Sequence, residues 1–492
     1  MKVITNSIIY FGVGGFQSFL SFLLLPVYTS FLGTYEFGLV NVINSVASLL
    51  GLIFIFGANA AISRLYFEYR EEPDKLKNFL STIFLGKILM NLLIAGVFIS
   101  LRSLIFPILA EGVSFYPYLL VAIGIGFFST IFTLSQTLQQ TRQDGLKYAI
   151  YQGIYLLLNN GLSVLFLVVF DLQGLGIVLG TLLSTILMDL LVLFSLRKSL
   201  ALRVDKKIFV ESLKYSSPLA IHAIFVWGSA AINKLILNNL SSTSEVGIYS
   251  IGFVIGGIVS TIAVAVNRSY TPWFFEQMKR KKQDNSDVVR FAEFIVLIYS
   301  VLAMLLSLFA PEVIRLFVSE EFHGAWIVVP VIAFAYVFDG LYFFFIDIFN
   351  YGKKYVRYVP IFSLSAAIIN IAFNYLLIPR FGMVGSACAT LISMVFLSSA
   401  TFLASRKLIN VKFSYLRLLY IVLIPALFTT AVYIDLDLPI FQAILVKVGY
   451  SLFALLVLYL LHRKVFNENM LHQVVKLKKF FYGFKRNKKR IK

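Results

Sequence analysis

The chain has 492 residues, of which 59% are hydrophobic and 14% charged, and its formal net charge at pH 7 is +19. A soluble globular chain carries roughly 25% charged residues, so this composition excludes a soluble domain and implies a protein that spends its length in a membrane. One cysteine, Cys388, excludes an intramolecular disulfide and a cysteine metal cluster; in "GSACATLIS" it reads as a small packing residue at a helix interface.

Apolar runs of about 20 residues, enough to cross a bilayer, recur from end to end. The first lies in "MKVITNSIIYFGVGGFQSFLSFLLLPVY". It has one Lys ahead of it and no small-residue cleavage site, so it reads as a spanning helix and not as a cleavable signal peptide. Taken in chain order, the candidate spans are 7–31, 38–63, 79–101, 115–138, 148–170, 174–196, 214–239, 247–272, 291–309, 326–348, 359–378, 383–404, 417–434 and 440–462. The expected fold is an all-α polytopic membrane protein with about fourteen transmembrane helices. Between the spans, "DLQG" (171–174) and "PRFG" (379–382) read as tight turns. The longest outward segment is expected at about 310–325.

Basic residues sort the loops. One alternating set, with both termini, holds 36 of the 43 Lys and Arg, whereas the opposite loops hold only Arg102, Arg315 and Arg380. Lys and Arg mark the cytoplasmic side, so an even helix count with both ends inside is expected. The charge is therefore a topology signal and does not point to nucleic acid. The tail 463–492 interleaves Phe and Tyr with eleven cations, which suits the anionic lipids of an inner leaflet.

The chain also repeats. "TYEFG" (34–38) returns as "TSEVG" (243–247), so Glu36 and Gly38 match Glu245 and Gly247 at an offset of 209. At the same offset Gly176 matches Gly385, Thr181-Leu182 matches Thr390-Leu391, Ser184 matches Ser393, and Arg197-Lys198 matches Arg406-Lys407. These matches predict two parallel-repeated six-helix bundles plus two appended helices: residues 1–200, 201–408 and 409–462, followed by the basic cytoplasmic tail. A parallel repeat about an axis along the membrane normal is a transporter design. Glu36 and Glu245 read as marks of the repeat, each at the bend of a half's opening hairpin. The glycine after each is expected to relax the backbone at the start of the next helix.

Ionisable side chains inside the spans identify the candidate site, because each costs about 2.5–3.5 kcal/mol on insertion scales and usually faces a cavity or a partner. Lys87, Asp189, His222 and Asp339 each lie about 12 Å from the inner end of their helix at 1.5 Å per residue. Arg64, Arg268 and Asp347 lie near inner ends, where snorkelling also explains them. Lys234 is nearer the outer end, and Lys447, in the appended pair, reads as a snorkeller. At the repeat offset Lys234 aligns with Leu25 and Arg268 with Asn59, so the second half carries cations that the first lacks. The candidate cavity cations are thus Lys87, Lys234, Arg268, His222 and Arg64; the candidate ion-coupling acids are Asp339, Asp189 and Asp347. Asn and Gln within spans, such as Asn91, Asn159, Asn233, Asn370 and Asn374, are open to two roles, interhelical glue or hydrogen bonding to sugar hydroxyls. No metal or cofactor site is expected. Arg315, His323 and three Glu in 310–325 form no nucleophile constellation, and with four histidines in the chain an enzyme is not expected.

The segments "LLLPVYTSFLGTYEFGLVNV", "KYSSPLAIHAIFVWGSAAINKLILNNLSSTSEVGIYSIGFVI", "LFAPEVIRLFVSEEFHGAWIVVPVIAFAYVFDGLYF" and "NYLLIPRFGMVGSACATLIS" resemble bacterial polysaccharide flippases of the Wzx type. These belong to the MATE-like multidrug/oligosaccharidyl-lipid/polysaccharide exporter superfamily. The resemblance spans about 1–462. It implies a cationic cavity and outward movement of an undecaprenyl-diphosphate-linked oligosaccharide across the bacterial inner membrane for O-antigen, capsule or exopolysaccharide. It also implies a polysaccharide polymerase as partner. Coupling to protons, sodium or the membrane potential stays open, as do a lipid II-type flippase and a MATE-like drug/cation antiporter. Two departures bear on those alternatives. The Arg-Asp pair that lipid II flippases usually carry in their first helix is missing, and so is the first-helix carboxylate of the antiporters; residues 7–31 contain no Asp or Glu.

Overall fold

A computed structural model describes residues 2–201, 203–279, 286–352, 355–406, 408, 413–434 and 439–461. Among them there is no strand. The protein is an all-α polytopic membrane protein, and twelve of its helices among the described residues are long and apolar enough to cross a bilayer. One of these, Val356–Ser405, covers two of the spans expected from the sequence. The basic tail 463–492 lies outside the described residues.

The helices run α1 (Lys2–Leu23), α2 (Leu25–Phe31), α3 (Thr34–Ile55), α4 (Ala58–Tyr69), α5 (Pro73–Ser100), α6 (Arg102–Leu109), α7 (Leu120–Thr141), α8 (Gly145–Val164) and α9 (Gln173–Leu196). They continue as α10 (Lys206–Leu240), α11 (Thr243–Gly256), α12 (Ile258–Lys279), α13 (Ser286–Phe317), α14 (Val329–Tyr351), α15 (Val359–Ser405), α16 (Tyr415–Thr429) and α17 (Ile440–Leu461). Side-chain oxygens set several starts by satisfying first-turn amides. Asp144 accepts from Lys147 N at 3.1 Å to begin α8. Asp205 accepts from Lys207 N at 2.9 Å and Ile208 N at 3.2 Å to begin α10.

The segment 310–325, expected to be the longest on the outward side, is largely helical: α13 runs to Phe317, and a 3-10 turn covers Glu320–Val328. "PRFG" turns as expected: the run Val359–Ser405 is two helical segments that meet at Gly382, whose φ of +53° and ψ of −131° are non-helical. That backbone region strongly favours glycine.

Contacts group the described helices into two packing units. One takes in residues up to 254 with 317–325 and 363–389; the other holds 255–316, 326–362 and the chain from 390. In the first unit a core of Ile62, Phe79, Phe84, Leu134, Leu138, Met188 and Val192 joins α4, α5, α7 and α9. In the second, aromatic packing dominates. Tyr270 stacks on Phe291 and Phe274, and Phe345 packs on Phe402 and Phe413. The appended helices join this unit: Met304 and Leu308 of α13 cluster with Val432, Ala454 and Leu458.

The repeated motif has a structural counterpart inside the first unit. A Cβ placed on Gly38 would overlap the Thr243 carbonyl, and one on Gly247 would overlap the Thr34 carbonyl. Residues 34 and 38 are each 209 positions from 243 and 247, so the two contacts are reciprocal, as across a two-fold axis. The glycines therefore permit close approach of α3 and α11 at their starts; their role is not to loosen the backbone, as the sequence suggested. The glutamates are also paired in function. Glu36 Oε2 accepts from Gly174 N at 3.3 Å, and Glu245 Oε2 accepts from Met383 N at 2.8 Å. The acceptors (245 − 36) and the donors (383 − 174) share the offset of 209. Each carboxylate meets the amino end of a helical segment, where unpaired N–H groups favour an anion.

Candidate functional site

Lys87 sits mid-way along α5 and is 1% exposed. Its Nζ contacts Met90 Sδ at 3.6 Å, and no carboxylate pairs with it among the described residues. The thioether is a weak acceptor, so this ammonium is buried without a counter-charge. One turn along, Asn91 ties α5 to its neighbours: its amide oxygen accepts from Thr130 Oγ1 at 3.2 Å, and its nitrogen donates to Phe54 O at 2.8 Å.

Lys234, on α10, donates to Asn41 Oδ1 of α3 at 2.9 Å and lies 5.6 Å from the centre of the Phe253 ring. Its partners are therefore an amide and an aromatic face. Asp189 on α9 is 4% exposed, and neither carboxylate oxygen has a hydrogen-bond partner of ordinary geometry among the described residues. The Phe132 backbone amide is the polar group that approaches it. All of these residues belong to the first packing unit.

The remaining candidates divide. Asp347 is buried but satisfied: Thr271 Oγ1 donates to it at 2.6 Å and Asn350 Nδ2 at 3.2 Å. It locks α12 to α14, which replaces the snorkelling explanation. Asp339, on α14, is half-buried and makes no ion pair among the described residues. Arg64 is exposed and pairs with Glu68 at 2.9 Å, and Arg268 is exposed on α12. His222 lies on α10, and its side chain lies outside the described residues. Lys447 is no snorkeller. Its Nζ sits 2.6 Å from Glu312 Oε1, with the two side chains 11% and 8% exposed.

Of the two roles open to the intramembrane asparagines, Asn91, Asn233 and Asn374 show interhelical bonding. Asn374 Nδ2 donates to Asn233 Oδ1 at 2.8 Å and to Asn370 O at 2.8 Å. The sequence reading missed a second polar feature. A cavity of about 380 Å³ opens between α7, α8 and α9. Its walls include Thr133, Gln136 and Gln140 of α7 and Tyr148, Gln152 and Tyr155 of α8. The signal was present in "STIFTLSQTLQQ", where positions 129, 133, 136 and 140 recur at helical spacing on one face.

A model of the family described as "Polysaccharide biosynthesis protein" matches residues 3–278, more than half of the chain. The chain belongs to the polysaccharide biosynthesis protein family. A second family model, MatE, matches residues 218–376. A Haemophilus influenzae protein named for the Lsg locus is 22% identical over 403 residues, covering 78% of this chain and 96% of its own. A second Haemophilus influenzae protein, described as an uncharacterized membrane protein, is 23% identical over 376 residues, covering 74% of this chain and 88% of its own. Among solved structures, the lipid II flippase MurJ in an inward closed conformation aligns with a TM-score of 0.76 at 17% identity, over 94% of this chain and 99% of that one. A MATE transporter in a straight conformation aligns at 0.55 and 16% identity, over 85% and 96%. The fold is that of the MurJ and MATE transporters. This family member is a multi-pass membrane protein.

Proposed function

We propose that the protein moves an undecaprenyl-diphosphate-linked oligosaccharide from the inner to the outer leaflet of the bacterial cytoplasmic membrane, for assembly of a surface polysaccharide. The observation that carries this reading is Lys87: a fully buried ammonium with no carboxylate partner among the described residues. A cation kept at bilayer depth without a counter-charge is costly, and an anionic substrate group would relieve that cost on arrival. A diphosphate fits, because its oxygens accept from ammonium donors. Lys234, held by neutral Asn41, supplies a second cation in the same packing unit.

The prenyl tail stays in lipid while the head group passes, and the site opens to the two sides in turn. An inside-negative potential favours outward movement of negative charge by about 2.3 kcal/mol per elementary charge per 100 mV. Asp189, Asp339 or Asp347 could instead hold a proton or sodium ion; of these, Asp189, buried and without an ordinary partner, is the strongest candidate. Both termini face the cytoplasm in this reading, the basic tail meets anionic lipid, and a polymerase takes the product at the outer face. No catalytic role is assigned to any residue.

The test is complementation of a deletion strain. Lys87→Ala and Lys234→Ala should abolish surface glycan while the protein stays at its normal level in the membrane. Normal export by both variants contradicts the reading. The MatE match over 218–376 favours a second reading, export of cationic small molecules through the acidic positions. Drug accumulation in the deletion strain, unchanged in the first reading and raised in the second, separates them.

A further inference from the structure

The cavity between α7, α8 and α9 is not explained by the cations. Its lining residues carry no charge: Ser, Thr and Gln side chains alternate with Phe132, Tyr148 and Tyr155. It is therefore no place for a diphosphate. Its volume of about 380 Å³ lies within the ~300–1,000 Å³ of small-molecule sites.

The walls are built for hydroxyl groups. On α7, Thr133 and Gln140 are exposed at the rim, and Gln136, one turn from each, is buried. Gln136 is 8% exposed; its Nε2 donates to Gln152 Oε1 at 2.8 Å, and its Oε1 is buried with no partner. An unpaired buried amide oxygen costs about 1–3 kcal/mol, and a ligand O–H reaching it would recover that. On the other side, Tyr155 packs on Phe132 with ring centroids 5.0 Å apart, and Tyr148 packs edge-on against Tyr10 at 4.8 Å. These contacts hold the aromatic wall in place. Polar stripes on membrane helices face an interior or a wet cavity, because lipid cannot satisfy them.

Amide and hydroxyl groups that both donate and accept, beside aromatic faces and without charge, match an uncharged sugar: its hydroxyls take the hydrogen bonds and its C–H faces rest on the rings. We infer that this cavity is the subsite for a sugar of the transported glycolipid, separate from the cations that take the diphosphate. The inference rests on the flippase reading. The two sites have a structural tie, since Asn91, one turn from Lys87 on α5, bonds to Thr130 on α7, the helix that carries the cavity's Thr/Gln wall.

The experiment is native mass spectrometry of the purified full chain. The probes are undecaprenyl diphosphate without sugar and undecaprenyl-diphosphate-linked oligosaccharides extracted from the source cells. Wild type should retain the glycosylated lipid in preference to the bare one. Gln136→Leu and Gln152→Leu should each reduce that preference roughly fivefold to tenfold, as loss of about 1 kcal/mol per hydrogen bond implies, with bare-lipid binding unchanged. Tyr155→Phe, which keeps the ring, should keep most of the preference. Gln139→Leu, a neighbouring buried position outside the cavity wall, serves as the folding control and should match wild type. If Gln136→Leu and Gln152→Leu keep the full preference, or wild type shows none while holding both lipids, the sugar subsite is wrong and the flippase reading stands. If wild type retains neither lipid, the flippase reading fails and the subsite with it.

Discussion

Lys87 lies buried in the first packing unit with, among the described residues, only a methionine sulfur at 3.6 Å, whereas Lys447 in the second lies 2.6 Å from Glu312. The same contrast holds for the acids. Asp189 in the first unit has no ordinary hydrogen-bond partner. Asp347 in the second has two, and Glu293 pairs with Arg417 at 3.3 Å. The second unit thus uses most of its intramembrane charge to fasten helices to each other, and the first keeps charge in reserve. Charge held in reserve, at a cost to folding, is what a transport site for an anion requires; paired charge is a rivet. Asp339 and Arg268 are the exceptions, a half-buried acid and an exposed cation of the second unit without an ion pair among the described residues.

The largest expected effect lies in the reserve. Lys87→Met, which keeps the apolar stem and removes the charge, should lower transport at least tenfold while raising the unfolding temperature in detergent, because an uncompensated buried charge is gone. A variant that loses stability together with activity would move Lys87 into the riveting class.

Next comes the rivet itself. Glu312→Gln leaves Lys447 buried and unpaired, a change that costs about 3–5 kcal/mol in comparable pairs. The double variant Glu312→Leu with Lys447→Met should recover most of that loss and should export normally. Thermal unfolding of wild type, Glu312→Leu, Lys447→Met and the double variant forms the cycle. Additive losses in the double variant would mean that the two residues do not act as a pair.

The reciprocal glycines come third. Gly38→Ala and Gly247→Ala should each destabilise by about 1–3 kcal/mol, the range for overpacking, because each added methyl meets the other helix's backbone. The effects should be similar to each other, and Gly153→Ala, where a Cβ meets nothing, should be neutral. A large difference between the first two would undo the two-fold reading of the contact.

The smallest effect concerns a cap outside the membrane. Hydrogen bonds from the Ile208 and Lys207 amides, with Asn78 and Arg203 nearby, hold the Asp205 carboxyl below its ordinary range. A depressed folded-state value gives stability that is present above the ordinary carboxylate value and is lost as pH falls through the folded one. Asp205→Asn should therefore lower stability slightly at neutral pH, leave the low-pH end almost unchanged, and so flatten the acid limb of the stability profile.

Much of the fold was legible because membrane helices advertise themselves by length and apolarity. The matched motifs "TYEFG" and "TSEVG" were legible, and the hydrogen bonds of their glutamates recur at the same offset. The partners were not legible. Lys447 and Glu312 are 135 positions apart (447 − 312) and meet only once α17 packs on α13. Depth set Asp347 nearer its helix end than Asp189, but it could not show that Thr271 lies beside Asp347 while Asp189 has no such neighbour among the described residues. The glycines misled because a flexible turn and a close helix contact ask for the same residue. The Thr/Gln wall of α7 was overlooked because it carries no charge, and its meaning depends on α8 lying opposite.

The most direct test is transport of undecaprenyl-diphosphate-linked oligosaccharide in vesicles holding the purified protein, comparing wild type with Lys87→Ala. Loss of one charged hydrogen-bond donor to the diphosphate, about 1.5–3 kcal/mol, corresponds to a fall of roughly tenfold to a hundredfold, and that is the expected result. Transport by Lys87→Ala at the wild-type rate would contradict the claim that unpaired buried cations carry the substrate.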